Sequence, residues 1–181
     1  MQLPIFLYGQ QVLRKETEEI TPEYPNISEL IENMYETLIK ADGVGLAAPQ
    51  VGFSIRVFIL DLTPLGEDDP EFLGYKKTFI NPKIVEFSEE SCTMEEGCLS
   101  LPFIHENVIR STKIRIRYQD EHFVQHEDDF DGYVARVIQH EYDHLEGKVF
   151  TDLISPIRKQ LIKSKLTSIL KGKTKPAYKA R

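Results

Sequence analysis

The most restrictive stretch of this sequence is Gln139–Gly147, QHEYDHLEG, where His140 and His144 stand four residues apart with Glu141 beside the first. On an α-helix, residues i and i+4 lie one above the other on the same face. Two imidazoles placed this way can bind one divalent metal, leaving the adjacent carboxylate near a water on that metal. In a chain with five histidines, chance supplies the bare pattern roughly 0.014 times. The competing reading is a surface helix with two solvated histidines. The metal reading is preferred, and it predicts a chain packed around this helix.

The bulk properties narrow the setting. At 181 residues with 41% apolar and 28% charged side chains, the chain has the size and balance of one globular domain. Residues 1–172 are expected to form that catalytic domain and residues 173–181 a basic, disordered tail. No apolar run of about twenty residues suggests a membrane span. MQLPIFLYGQ lacks the basic leader and apolar core of an export signal, so the cytoplasm is the expected compartment. Two cysteines, Cys92 and Cys98, are too few for a disulfide scaffold. The net charge of −7 conceals an asymmetry, because residues 155–181 carry nine Lys or Arg and no acid. Such an arm suits an anionic partner such as RNA. It equally suits a solvated helix with a frayed tail, and no basic patch interleaved with aromatics points to DNA.

Taken in order, the chain reads as α+β. Ile27, Leu30, Ile31, Met34, Tyr35 and Leu38 recur at helical spacing, and that helix should end near Asp42–Gly43, with Gly in the left-handed turn. GVGLAAPQVG, residues 43–52, fits a G-x-G-x-x-A dinucleotide fingerprint in letters only. That motif follows a strand and opens a helix, whereas here a helix precedes it and Pro49 blocks another. Strands are expected at 55–61, at 78–87 with a break at Asn81-Pro82, and at 108–119, where apolar and basic residues alternate. HFVQHEDDF should pair back as a hairpin. The histidine helix should begin near Asp129 or Asp131, with Tyr133 and Val137 on its inner side. A last helix should start at Ser155-Pro156, carry Ile157, Leu161, Ile162, Leu166, Ile169 and Leu170 as an apolar stripe, and close at Gly172.

A catalytic metal usually takes three protein ligands. Downstream of His144, position 150 is Phe where a longer zinc-peptidase pattern needs His, and Glu146 is out of helical phase. Asp152 is the remaining downstream candidate, and would make the chain a metallopeptidase. Upstream, Cys98 in EEGCLS offers a thiolate, a strong ligand for a borderline metal. A closed, non-enzymatic zinc site of Cys92, Cys98, His140 and His144 ranks third, since it leaves Glu141 without a role.

Three segments together resemble peptide deformylase: GVGLAAPQ at 43–50, EGCLS at 96–100 and QHEYDHLEG at 139–147 match that family's motifs in order and spacing. YGQQVLRK near the start is similar as well. One departure is Phe103 after Leu101-Pro102, where many members have Gly. The resemblance implies mixed or antiparallel strands around the metal helix, with a helix toward each end of the chain. It implies removal of the formyl group from N-formyl-methionyl nascent peptides, in bacteria or organelles. Cys98, His140 and His144 would hold Fe²⁺ with a water in the fourth position, and Zn²⁺, Ni²⁺ or Co²⁺ would also suit the set. Glu141 would activate that water, while the Gln50 side chain and the Leu99 N–H would meet the oxyanion. Gly45 would align the substrate as an added strand, and Val44, Tyr133 and Val137 would receive the methionine side chain. The basic C-terminal helix is further expected to dock on the ribosome.

Overall fold

In the computed structural model, which describes residues 1–181, the apolar run after Arg56 becomes strand β2 (Val57–Asp61), buried at every position. It pairs antiparallel with β1 (Gly45–Ala47) on one side and β3 (Lys76–Phe87) on the other. The alternating segment becomes β6 (Lys113–Gln119), which turns its apolar residues inward and its basic ones outward and pairs with β7 (Gln125–Asp131). The resulting five-stranded sheet has the order β1-β2-β3-β6-β7 and leaves β1 at an edge. A separate antiparallel hairpin joins β4 (Ser91–Cys98) to β5 (Leu101–Ser111). The architecture is mixed α+β with antiparallel sheets.

Three apolar clusters hold these layers. Helix α1 (Ile27–Lys40) buries Ile27, Leu30, Ile31, Met34 and Leu38 against Val57 and Ile59 of β2. The histidine helix, α2 (Gly132–Leu145), packs Ala135, Val137 and Ile138 against Phe58, Leu60 and Ile116 on the sheet. Its other side meets the hairpin through Arg136, which donates to the Val108 carbonyl at 2.7 Å. Helices α3 (Pro156–Leu161) and α4 (Lys163–Leu170) then cover β5, with Ile162 and Ile169 against Leu101, Ile104 and Val108. Burying a side chain of this size contributes about 1.5–3 kcal/mol.

Several expectations need correction. The turn after α1 places the left-handed residue at Asp42, with φ of 55°, and not at Gly43. The break at Asn81-Pro82 is a bulge inside one continuous β3. Asn81 takes a positive φ there, and its side chain bonds both backbone groups of Ile20. The segment 108–119 is two strands, because the chain leaves the ladder at Thr112 and passes from the hairpin to the sheet. Helix α2, by contrast, begins as expected, at Gly132 with Asp131 as its N-cap.

The C-terminal stripe is only partly inward: the chain turns at Ile162, and Ile157, Leu161 and Leu170 remain exposed. Residues 173–181 are not a loose tail. Ala180 bridges Ile5 in parallel, with Ile5 N–H donating to the Lys179 carbonyl at 2.9 Å and Arg181 N–H donating to the Ile5 carbonyl at 2.8 Å. These bonds are between backbones, so the polar, lysine-rich composition that suggested disorder does not oppose them. No helix is long and apolar enough to cross a membrane.

Candidate metal centre

Cys98 stands at the end of β4, where the hairpin turns through Leu99 and Ser100 into β5. His140 and His144 rise from α2 on the side facing that turn. One ligand atom from each of the three side chains lies within 4.8 Å of the others, and Cys98 Sγ is 3.3 Å from His144 Nε2. A soft sulfur with two imidazole nitrogens, gathered at this spacing from segments more than forty residues apart, is a donor set suited to a divalent transition metal. Cys92 is exposed and lies outside this group; its sulfur sits 3.4 Å from Arg136. Asp152 is also outside it, engaged by the Arg14 guanidinium at 2.6 and 3.2 Å. The geometry thus removes the fourth ligand of the closed zinc reading and the third ligand of the peptidase reading.

Glu96, two residues before Cys98, orders the nitrogen side of the site. Its buried carboxylate accepts from His140 Nδ1 at 2.7 Å, from Arg110 at 2.6 and 3.0 Å, and from Arg136 at 2.8 Å. Because a carboxylate only accepts, Nδ1 of His140 carries the proton and Nε2 is left for the metal side. Burial alone raises the Glu96 pKa, but the His140 and Arg110 contacts outweigh it and hold the carboxyl well below its usual range. At His140, burial lowers the pKa, while Cys98 and Glu96 outweigh it and hold it well above the ordinary value. Burial and the positive neighbours His140, Arg110 and Arg14 all push His144 down.

Glu141 faces the same space from α2. Burial raises its carboxyl to about 7, and its Oε2 has no hydrogen-bond partner. A carboxyl poised there can exchange a proton near neutral pH. Gly45 is what lets β1 approach: a Cβ at that position would stand 2.6 Å from Glu141 Oε1. Gln50 is buried in the short 3-10 turn Ala48–Val51. Its Oε1 accepts from Ala47 N–H at 2.9 Å, which turns Nε2 toward Ser100 Oγ at 3.1 Å and Cys98 Sγ at 3.5 Å.

A cavity of about 470 Å³ opens onto these groups. Cys98, His140, Glu141 and Gln50 line it, as do the expected substrate residues Val44, Gly45, Tyr133 and Val137 and the turn residue Leu99. Sequence reading assigned no role to Glu96, Arg110 or Arg136; Glu96 carried a signal as the first residue of EGCLS, and Arg136 as the residue one turn before His140 on the same helical face. It also missed Pro176, Ala177 and Tyr178, which line the cavity from the far end of the chain.

Comparison with known proteins bears on the family and the fold. A family model described as polypeptide deformylase matches residues 2–160. The peptide deformylase of Flavobacterium johnsoniae is 50% identical, covering 100% of this chain and 96% of its own. That of Salinibacter ruber is 44% identical over 98% of this chain and 93% of its own. Among solved structures, the Thermotoga maritima peptide deformylase superposes with a TM-score of 0.78 at 41% identity, covering 86% of this chain and 99% of that one. The Plasmodium falciparum peptide deformylase gives 0.84 at 32% identity, covering 93% and 95%.

Proposed function

The chain belongs to the peptide deformylase family, and from that premise we propose that Cys98, His140 and His144 hold its metal and that Glu141, Gln50 and Leu99 perform the chemistry. As an enzyme of this family it removes the formyl group from N-formyl-methionyl peptides and releases formate. The family's need for a divalent metal is met by the one Cys/His/His group, and Fe²⁺ is the ion we assign, with Zn²⁺, Ni²⁺ and Co²⁺ as replacements. When bound, the metal supplies a Lewis acid that makes water nucleophilic near neutral pH.

The rest is the work of the chain's own groups. Glu141 accepts a proton from the attacking water at its unpartnered carboxylate and returns it to the departing amine. Negative charge develops on the formyl oxygen. The Gln50 amide, held by Ala47 with its NH₂ toward Cys98, and the Leu99 backbone N–H donate to it. Losing one such donor typically raises the barrier by about 2.7–4 kcal/mol. The position of β1 at a sheet edge supports docking of the peptide as an added strand along Val44 and Gly45. Tyr133 and Val137 then receive the methionine side chain from the α2 side of the cavity.

The observation that carries this reading is the buried carboxyl of Glu141 beside the sulfur–imidazole group. Glu141→Ala should keep bound metal yet lose nearly all formate release from formyl-Met-Ala; retained turnover would end the mechanism. Cys98→Ser should lose or exchange the metal and Cys92→Ser should not, as read by metal analysis of protein purified without oxygen. For the ribosome, exposed Lys159, Lys163, Lys165 and Lys171 on the C-terminal helical arm support docking on an anionic surface. Reversing three of these charges should weaken low-salt ribosome binding at least tenfold, and unchanged binding would remove the idea.

A further inference from the structure

The C-terminal segment 176–181 is bolted to the same backbone that carries the donor groups. Ile5–Tyr8 runs between two partners. On one side Ile5 and Leu7 N–H groups donate to the carbonyls of Lys179 and Arg181 at 2.9 and 3.0 Å. On the other, Phe6 N–H donates to the Gln50 carbonyl at 2.7 Å and Tyr8 N–H to the Ser100 carbonyl at 2.8 Å. The Arg181 guanidinium also sits over the Phe6 ring, 5.7 Å from its centroid. From this anchored strap the Tyr178 hydroxyl donates to the Leu99 carbonyl at 2.5 Å, reaching the turn between Cys98 and Ser100. Pro176, Ala177 and Tyr178 line the cavity that Cys98, Glu141 and Val137 line.

We propose that residues 176–178 form a wall of the peptide-binding cleft, positioned by the Tyr178–Leu99 bond, and contact substrate residues downstream of the formyl-methionine. The proposal rests on the deformylase reading of the site. Its geometric basis is a division of the cavity between two sources. Tyr133 and Val137 pack with the sheet cluster under α2, whereas Leu99 packs with the α1 cluster and takes the Tyr178 contact. A methionine side chain seated on the first wall leaves the following residues of an edge-docked peptide to pass the second. Backbone pairing to Ile5 and Leu7 fixes that second wall before substrate arrives, so its contacts require little further ordering on binding. Tyr178 is a positioning residue in this scheme, since it meets the Leu99 carbonyl and not the reacting atoms.

The test compares formyl-Met-Ala with formyl-Met-Ala-Ala-Ser on metal-loaded 181-residue protein and on Tyr178→Ala, Tyr178→Phe and a deletion of residues 176–181. The unaltered protein should release formate from both and favour the longer peptide; this control separates a failure of the strap from a failure of the deformylase reading. Tyr178→Ala, which keeps the Lys179 and Arg181 backbone bonds, should reduce the ratio of kcat/KM for long over short peptide by three- to tenfold. Tyr178→Phe should give part of that loss and the deletion all of it. Calorimetry on a Glu141→Gln background should show the same selective weakening of the longer peptide, a result that general loosening of the fold would not give. An unmoved or rising ratio in Tyr178→Ala, or equal losses for both peptides, would overturn the proposal.

Discussion

Gly45→Ala gives the sharpest reading of how closely β1 and α2 must approach. The added Cβ would lie 2.6 Å from Glu141 Oε1 and 2.9 Å from its Cδ and Cγ, about 0.8 Å inside the 3.4 Å at which ordinary contact begins. Neither side has easy room to yield. Gly45 is held in register opposite Leu60, and Glu141 is buried on a helix whose neighbour His140 is tied to Glu96. Overpacking of this kind typically destabilises by about 1–3 kcal/mol. The larger effect should fall on turnover, because displacing a reacting group by about 1 Å can lower the rate on the order of a hundredfold. Urea unfolding measures the first, and formate release from formyl-Met-Ala the second. Metal content should be unchanged, since the three atoms nearest the added Cβ all belong to Glu141 and none to a proposed ligand. A kcat within threefold of the unaltered protein, at normal metal content, would refute the claim that β1 sets the position of the Glu141 carboxylate.

Phe103→Gly should stabilise the protein by about 1 kcal/mol in urea, because φ of 65° at an exposed Phe is a left-handed conformation that glycine adopts freely; a loss of stability would show that ring contacts outweigh the strain. Glu96→Gln should destabilise by about 3–5 kcal/mol, as it leaves the buried Arg110 and Arg136 guanidiniums short of their shared countercharge. An effect below about 1 kcal/mol would sink that account. Burial of Asp152 raises its pKa, but Arg14 and the Val149 N–H outweigh this and lower it. Its contribution is therefore present above the unfolded carboxylate pKa and is lost as pH falls through the folded one. Asp152→Asn should weaken the fold by at most about 1 kcal/mol at pH 7, given the pair's exposure. The difference should vanish in acid, and a difference that grows on acidification would reverse the assignment.

What the sequence made legible was whatever repeats with a period or stands in a short motif. Helix α1, the alternation in β6 and the His140/His144 spacing are of this kind, since each depends on neighbours along the chain. Strand β4 was not legible: Ser91–Glu95 is exposed on both sides of the ribbon, so no burial alternation was written into it. Glu96 was invisible as a hub because its partners, Arg110, Arg136 and His140, come from other elements and meet it only in space. Residues 173–181 misled for a different reason. Their composition reports side-chain solvation, while the force that orders them acts through the backbone groups of Ile5 and Leu7.

The pairing of Ile5 with Ala180 also fixes a sequence of events during manufacture. A polypeptide grows from its amino end, so Ile5–Tyr8 leaves the ribosome early and waits for a neighbour that is synthesised after all the helices. Until then the residues proposed to grip the metal are present, but one bank of the channel beside them is missing. A deformylase, whose work is on other newborn chains, would thus complete its own apparatus only after residues 176–181 have followed the helices out of the ribosome.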